Sequence, residues 1–162
     1  MNKALVIIDA QNDYLSDGQF PLWNIDETVK HISDKISEYE KNGYIIIFVQ
    51  HLSPQGAAFF DETTQGCELI SSLTKLSTKH FIVTKQHGNS FDDTQLDDLL
   101  MAHNISDIEL CGMMTQNCVL FTAISEQAKK YKLTVLSGCC TSVSPVIHTV
   151  ALRGLSRIVN VV

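Results

Sequence analysis

The stretch Ile108-Glu109-Leu110-Cys111-Gly112-Met113-Met114-Thr115-Gln116-Asn117-Cys118-Val119-Leu120, running on to Tyr131, decides how the rest of the chain is read. An apolar run stops at a glycine, a short turn follows, and Leu120, Ala123, Ile124 and Ala128 then recur at helical spacing. The segment reads as buried strand, sharp turn and helix. Cys118 stands where that helix would begin, and there unpaired amides and the helix dipole favour negative charge. A thiol so placed is drawn toward the reactive thiolate, with a pKa below the reference of about 8.5. Cys118 is therefore the candidate nucleophile. The alternative is a thiol that only packs, since free cysteine is among the most buried residue types.

Other apolar runs flank this stretch. Residues 4–8 are continuously apolar and end at Asp9, as in a central strand covered on both faces. Residues 11–23 read as an irregular loop, with a turn at Ser16-Asp17-Gly18 and with Tyr14, Phe20 and Trp23 either lining a pocket or pinning the loop to the core. Asn24 and Glu27 resemble a capping box. Val29, Ile32, Ile36 and Tyr39 follow at helical spacing, and Gly43 stops the helix.

Residues 44–49 predict a second strand ending at Gln50-His51, and residues 52–65 a loop. A short helix through Leu69 and Leu73 and a third strand over 81–84, followed at once by Lys85, come next. Residues 92–103 predict a helix with Leu96, Leu99 and Leu100 on one face. Residues 133–136 predict a fifth strand, Ser144-Pro145 a helix start, and 158–162 a sixth strand. Strands alternate with helices, which predicts an α/β three-layer sandwich with a mostly parallel six-stranded sheet.

The 162 residues suffice for one domain over 1–162, and 44% hydrophobic with 19% charged residues is ordinary globular composition. No apolar run is long enough to span a membrane, and the first residues enter a strand without a signal-peptide pattern, so the cytoplasm is the expected compartment. Cys67, Cys111, Cys118, Cys139 and Cys140 are an odd set without disulfide or zinc-knuckle spacing, which suits reduced thiols. A net charge of −6 without a basic stripe argues against nucleic acid.

In open parallel sheets, ligands bind beyond the carboxyl ends of the strands, where strand order reverses. Asp9, Lys85 and Cys118 all follow strands and would share that edge. Together they offer a base, a cation to favour the thiolate, and a helix start to supply oxyanion donors.

Several segments carry a family resemblance: residues 4–15 (ALVIIDAQNDYL); Lys85 with Asn89-Ser90-Phe91 and Thr94-Gln95-Leu96; Gly112-x-x-Thr115-x-x-Cys118-Val119 with Thr122-Ala123; and His148 with Ala151-Leu152. In this order the chain resembles the isochorismatase-like cysteine hydrolases. The resemblance implies hydrolysis of a C–N bond in a small amide by an Asp9, Lys85, Cys118 triad through a thioester, without a cofactor. It implies a cis peptide between Met113 and Met114, with the amides of Met114 and Cys118 as the oxyanion hole. It also implies a homo-oligomer, dimer or tetramer.

Gln11, Tyr14, Trp23, His51, His87 and Phe91 are the candidate substrate-pocket residues. Nicotinamidases of this family place a metal-binding Asp and His after strand two in an Asp-Trp-His-Pro setting. This chain has Gln50-His51-Leu52-Ser53-Pro54 there, so no metal is expected. A vinyl ether hydrolase and a non-catalytic thiol sensor or binding module on the same fold are the competing readings.

Overall fold

The computed structural model describes residues 2–77 and 79–162. Ala4-Leu5-Val6-Ile7-Ile8 is apolar at every position, which suits a strand only when both faces are covered, and all five are buried. They form most of β1 (Lys3–Ile8). The other strands are β2 (Ile45–His51), β3 (His80–Lys85), β4 (Asp107–Met113), β5 (Lys132–Thr141) and β6 (Asn160–Val161). Hydrogen bonding joins them into one parallel sheet ordered β3-β2-β1-β4-β5-β6. The chain builds outward from β1 in one direction, returns, and builds outward in the other. Strand order therefore reverses between β1 and β4, and their carboxyl ends open the crevice where ligands bind in such sheets.

Helices cover the sheet: α1 (Ile25–Asn42) packs on β2 and β5, and α5 (Pro145–Leu155) packs on β5 and β6. The remaining helices are short: α2 (Ser71–Thr74), α3 (Leu96–Ala102) and α4 (Leu120–Ala123). The inner stripe of α1 carries Ile25, Ile32, Ile36 and Tyr39, all buried. Each such aliphatic side chain removed from water contributes roughly 2 kcal/mol.

Several expected boundaries move for local reasons. Asn24 makes no cap with its side chain: it sits at φ +53°, and its carbonyl accepts from the Thr28 amide and hydroxyl instead of forming a capping box. The helix expected over 92–103 begins only at Leu96. Thr94 Oγ1 donates to the Ser90 carbonyl and accepts from the Leu96 amide, offering the backbone a turn in place of a helix. β5 is longer than expected and takes in the buried Cys139 and Cys140. β6 is only Asn160–Val161.

One glycine fixes the crevice. Gly112 has φ +115°, and a Cβ built there would stand 2.0 Å from the Ile8 carbonyl oxygen, one residue before Asp9. At this point the β4–β5 register also shifts. Gly112 lets β4 close on β1 and start the turn toward Cys118. Gly112→Ala should therefore cost about 3 kcal/mol or more, from the overlap and the unfavourable φ together. Urea unfolding should show the loss as a lowered midpoint, and an unchanged midpoint would mean the strands part at little cost.

Candidate active site

Each reactive side chain lies at or just beyond the carboxyl end of a strand. Asp9 follows β1 at φ +50°, a left-handed conformation that costs energy in a non-glycine residue and here turns its fully buried carboxylate inward. Its amide is tied to the Val49 carbonyl at 2.9 Å. Lys85 closes β3 in register with His51 of β2. From β3 to β1 is two strand spacings, about 10 Å, so only a long side chain can meet Asp9 from there. Cys118 lies in a π-helical turn, Thr115–Val119, between β4 and α4.

These groups converge on one ammonium. Lys85 Nζ lies 2.9 Å from Asp9 Oδ2, 3.3 Å from Cys118 Sγ, 3.0 Å from His51 Nδ1 and 3.0 Å from the His87 carbonyl oxygen. The Lys85 and Asp9 side chains have no exposed surface. A buried ion pair needs such pairing to offset its lost hydration. The ammonium faces four acceptors with three protons, so the contacts compete. Asp9 Oδ1 is the buried side-chain oxygen without a hydrogen-bond partner among the described residues.

The thiol differs from the expectation of a lowered pKa. Burial first, and the Asp9 charge second, push Cys118 up to about 12, outweighing the opposing effect of Lys85. The helix expected to supply a dipole is also interrupted. The π-helical turn gives way to α4, a single turn, and then to a separate 3-10 turn, Gln127–Lys130. Ser125 causes the break: its hydroxyl donates to the Thr122 carbonyl and accepts from the Ala128 amide, closing one helix and opening the next. So little aligned backbone stabilises little charge. At rest Cys118 is a neutral thiol beside an ion pair.

The other candidates fall into different places. The Met113–Met114 peptide is cis, and the Met114 carbonyl accepts from the amides of Asn117 and Val119. Tyr14 is buried, and burial followed by the Asp9 charge raises its pKa, so it remains a neutral phenol. Its ring heads an aromatic cluster with Phe60, Phe59 and Phe20.

Gln11 is wholly buried, and its amide is spent on the backbone of His51 and Cys67, so it holds the wall and does not face the pocket as expected. The His87 ring turns toward Asp93, and only its carbonyl reaches Lys85. Phe91 is not a pocket residue but a core one, stacked on Tyr131. Trp23 is 40% exposed and packs against His148.

Two supports escaped the sequence reading. Thr115 Oγ1 donates to the Thr141 carbonyl at 2.9 Å and so accepts from His148 Nδ1 at 2.8 Å, tying the nucleophile turn to β5 and α5. Asp13 is buried and accepts from the Phe60 amide at 2.5 Å, fixing the aromatic cluster. Thr115 and His148 stood among the residues that carry the family pattern, but nothing in their spacing paired them. A surface cavity of about 220 Å³, lined by Leu52, Thr84, Lys85, Gln86, His87 and Asp93, opens beside the lysine.

The chain matches a family model described as an isochorismatase domain over residues 3–162. It is 30% identical over 143 residues to the isochorismatase family protein YddQ of Bacillus subtilis, covering 88% of this chain and 79% of that one. It is 35% identical over 122 residues to the secreted isochorismatase effector Isc1 of Verticillium dahliae, covering 75% of this chain and 63% of that one. The fold matches the crystal structure of the pyrazinamidase of Pyrococcus horikoshii in complex with zinc, with a TM-score of 0.87 and 21% identity over 100% of this chain and 99% of that one.

That zinc prompts a test of the donors here. Asp9, His51 and Cys118 each offer one ligand atom, all within 4.8 Å of one another. All three also touch the Lys85 ammonium, which occupies the centre of the group as its cation. A divalent ion would have to share that space with a fixed positive charge, so the residues present do not fit a metal. After β2, Ser53 supplies a hydroxyl, and its amide is bonded to the Phe60 carbonyl.

A thiol raised by burial and by Asp9 becomes a thiolate only as pH climbs. Alkylation of Cys118 by iodoacetamide should therefore keep accelerating above pH 9 without a plateau near neutrality. Asp9→Asn removes the neighbouring negative charge and leaves Lys85, so the thiol pKa should fall, and alkylation at pH 8 should rise about tenfold per unit of fall. A plateau below pH 8 in the unaltered protein would mean a preformed thiolate.

Proposed function

Since the chain belongs to the isochorismatase family, we propose that it is a cysteine-dependent hydrolase of a C–N bond in a small amide, with Asp9, Lys85 and Cys118 as its catalytic triad. The observation that carries this reading is the Lys85 ammonium in contact with both the Asp9 carboxylate and the Cys118 sulfur. Relatives on this fold include the pyrazinamidase above, whose name denotes an amide hydrolase.

The steps follow from the groups present. The Cys118 proton passes to Asp9, whose Oδ1 is free to take it, as sulfur bonds to the substrate carbonyl carbon. The amides of Met114 and Cys118 hold the resulting oxyanion. Asp9 returns the proton to the leaving amine as the C–N bond breaks, leaving a thioester. Asp9 then takes a proton from water as the water oxygen attacks, and returns it to sulfur as the C–S bond breaks, which releases the acid and restores the thiol and the carboxylate. Lys85 steadies sulfur and carboxylate in turn.

Tyr14, whose pKa the Asp9 charge raises, and His51, in contact with Lys85, are the pocket residues of this reading, together with Trp23, which packs against His148. A reducing compartment such as the cytoplasm suits the five unpaired cysteines. A homo-oligomer suits the exposed Val146 and Val150 on α5.

A panel of small amides, read by ammonia release, tests the proposal. At least one should be hydrolysed, and Cys118→Ala and Asp9→Asn should each lower the rate by about 10³-fold or more, with the pair adding little to either alone. Turnover that survives Cys118→Ala would overturn the triad. Dialysis against a strong chelator should leave the rate unchanged, because the ammonium serves where a metal would. Loss of activity that zinc restores would contradict that.

A further inference from the structure

His51 is held more firmly than packing requires. The buried Gln11 side chain accepts from the His51 amide at 2.8 Å and donates to the His51 carbonyl at 2.8 Å. The ring lies against Phe60 with centroids 5.7 Å apart. Nδ1 stands 3.0 Å from Lys85 Nζ. An ammonium only donates, so Nδ1 accepts, and a neutral ring must carry its proton on Nε2. Asp9, Lys85, His87 and Cys118 are the titratable groups that face the ring. Burial and then the Lys85 charge disfavour a second proton. Among the described residues the ring's hydrogen bond is at Nδ1, and Nε2 makes none. One ring nitrogen is within 4.8 Å of both Cys118 Sγ and an Asp9 carboxylate oxygen.

We propose that His51 reads the acyl part of the substrate, its Nε2–H donating to an uncharged oxygen or nitrogen acceptor on that group. The inference rests on the amide-hydrolase reading above. An acyl carbon bonded to Sγ brings its substituents within reach of the ring. The acceptor is uncharged because Lys85 is already paired with Asp9, so the site has no spare cation for an anion. A donor left bare by the wrong substrate is costly, and an isosteric amide without the acceptor is discriminated against by about tenfold or more.

Benzamide and the three pyridinecarboxamides provide the probe, being alike in size and differing only in one ring nitrogen and its position. At least one pyridine isomer should exceed benzamide by about tenfold in kcat/KM. His51→Gln, whose amide nitrogen reaches the place of Nε2, should keep that preference. His51→Phe should reduce it to within about twofold. His51→Asn offers Lys85 an acceptor but no donor at the Nε2 position, so it should also lose the preference while lowering benzamide turnover less than His51→Phe does. A preference that persists in His51→Phe, or is absent from the unaltered enzyme, would overturn the proposal.

A second readout needs no turnover. In 15N-histidine-labelled protein at pH 7, His51, assigned by its loss in His51→Gln, should show a neutral ring protonated at Nε2. A ring protonated at Nδ1, or a charged one, would overturn the proposal even if amides are hydrolysed. Failure of every amide in the panel would instead remove the amide reading and this inference with it, whereas the wrong tautomer beside amide turnover would overturn this inference alone.

Discussion

A single buried ammonium, that of Lys85, is the interaction on which the rest of this structure depends. Moving such a charge out of water costs several kcal/mol unless it is paired and its protons are used. Here the Asp9 carboxylate, an imidazole nitrogen, a carbonyl and a thiol share that task. Each comes from a different part of the chain, and only the parallel sheet brings them together. β1 and β4 supply Asp9 and Cys118 at the reversal of strand order, and β3 sends Lys85 across β2. Gly112 allows the close approach of β1 and β4 that the convergence needs.

On the proposed reading, the same ammonium is what lets a thiol this buried react. Burial and Asp9 keep Cys118 protonated at rest, which protects it from adventitious oxidation, since oxidants attack the thiolate. In the proposed mechanism the proton passes to the Asp9 carboxylate, which has an oxygen without a partner among the described residues, so the charge on sulfur need exist only while a carbonyl is present to take it. The centre is electrically balanced before reaction and remains so as the proton moves. That balance also leaves no place for a metal among donors that would otherwise suit one.

Strand ends were legible because apolar runs stop abruptly: Ile8 before Asp9, and the run 81–83 with Thr84 before Lys85, mark the sheet edge in the sequence itself. The reactive residues and their common edge followed from that pattern and from the family resemblance. The helix after Cys118 was misread because Leu120, Ala123, Ile124 and Ala128 keep helical spacing, while the break comes from the Ser125 hydroxyl, which hydrophobic periodicity does not register. With it went the inferred dipole, while burial and then the Asp9 charge, neither visible in the spacing, set the direction of the thiol's pKa. Phe91 and Gln11 were misplaced for a related reason. Proximity in sequence to a reactive residue says nothing about which way a side chain turns, and Tyr131 and the His51 backbone claimed them.

The central claim is that acyl transfer passes through the Cys118 sulfur with Lys85 and Asp9 in attendance. Acid quenching during turnover of a hydrolysed amide, followed by digestion and mass spectrometry, tests it most directly. The expected result is the peptide containing Cys118 heavier by the acyl group, as a thioester lost on treatment with hydroxylamine. Sustained turnover with no acyl group on Cys118, or with the acyl group on another residue, would contradict it.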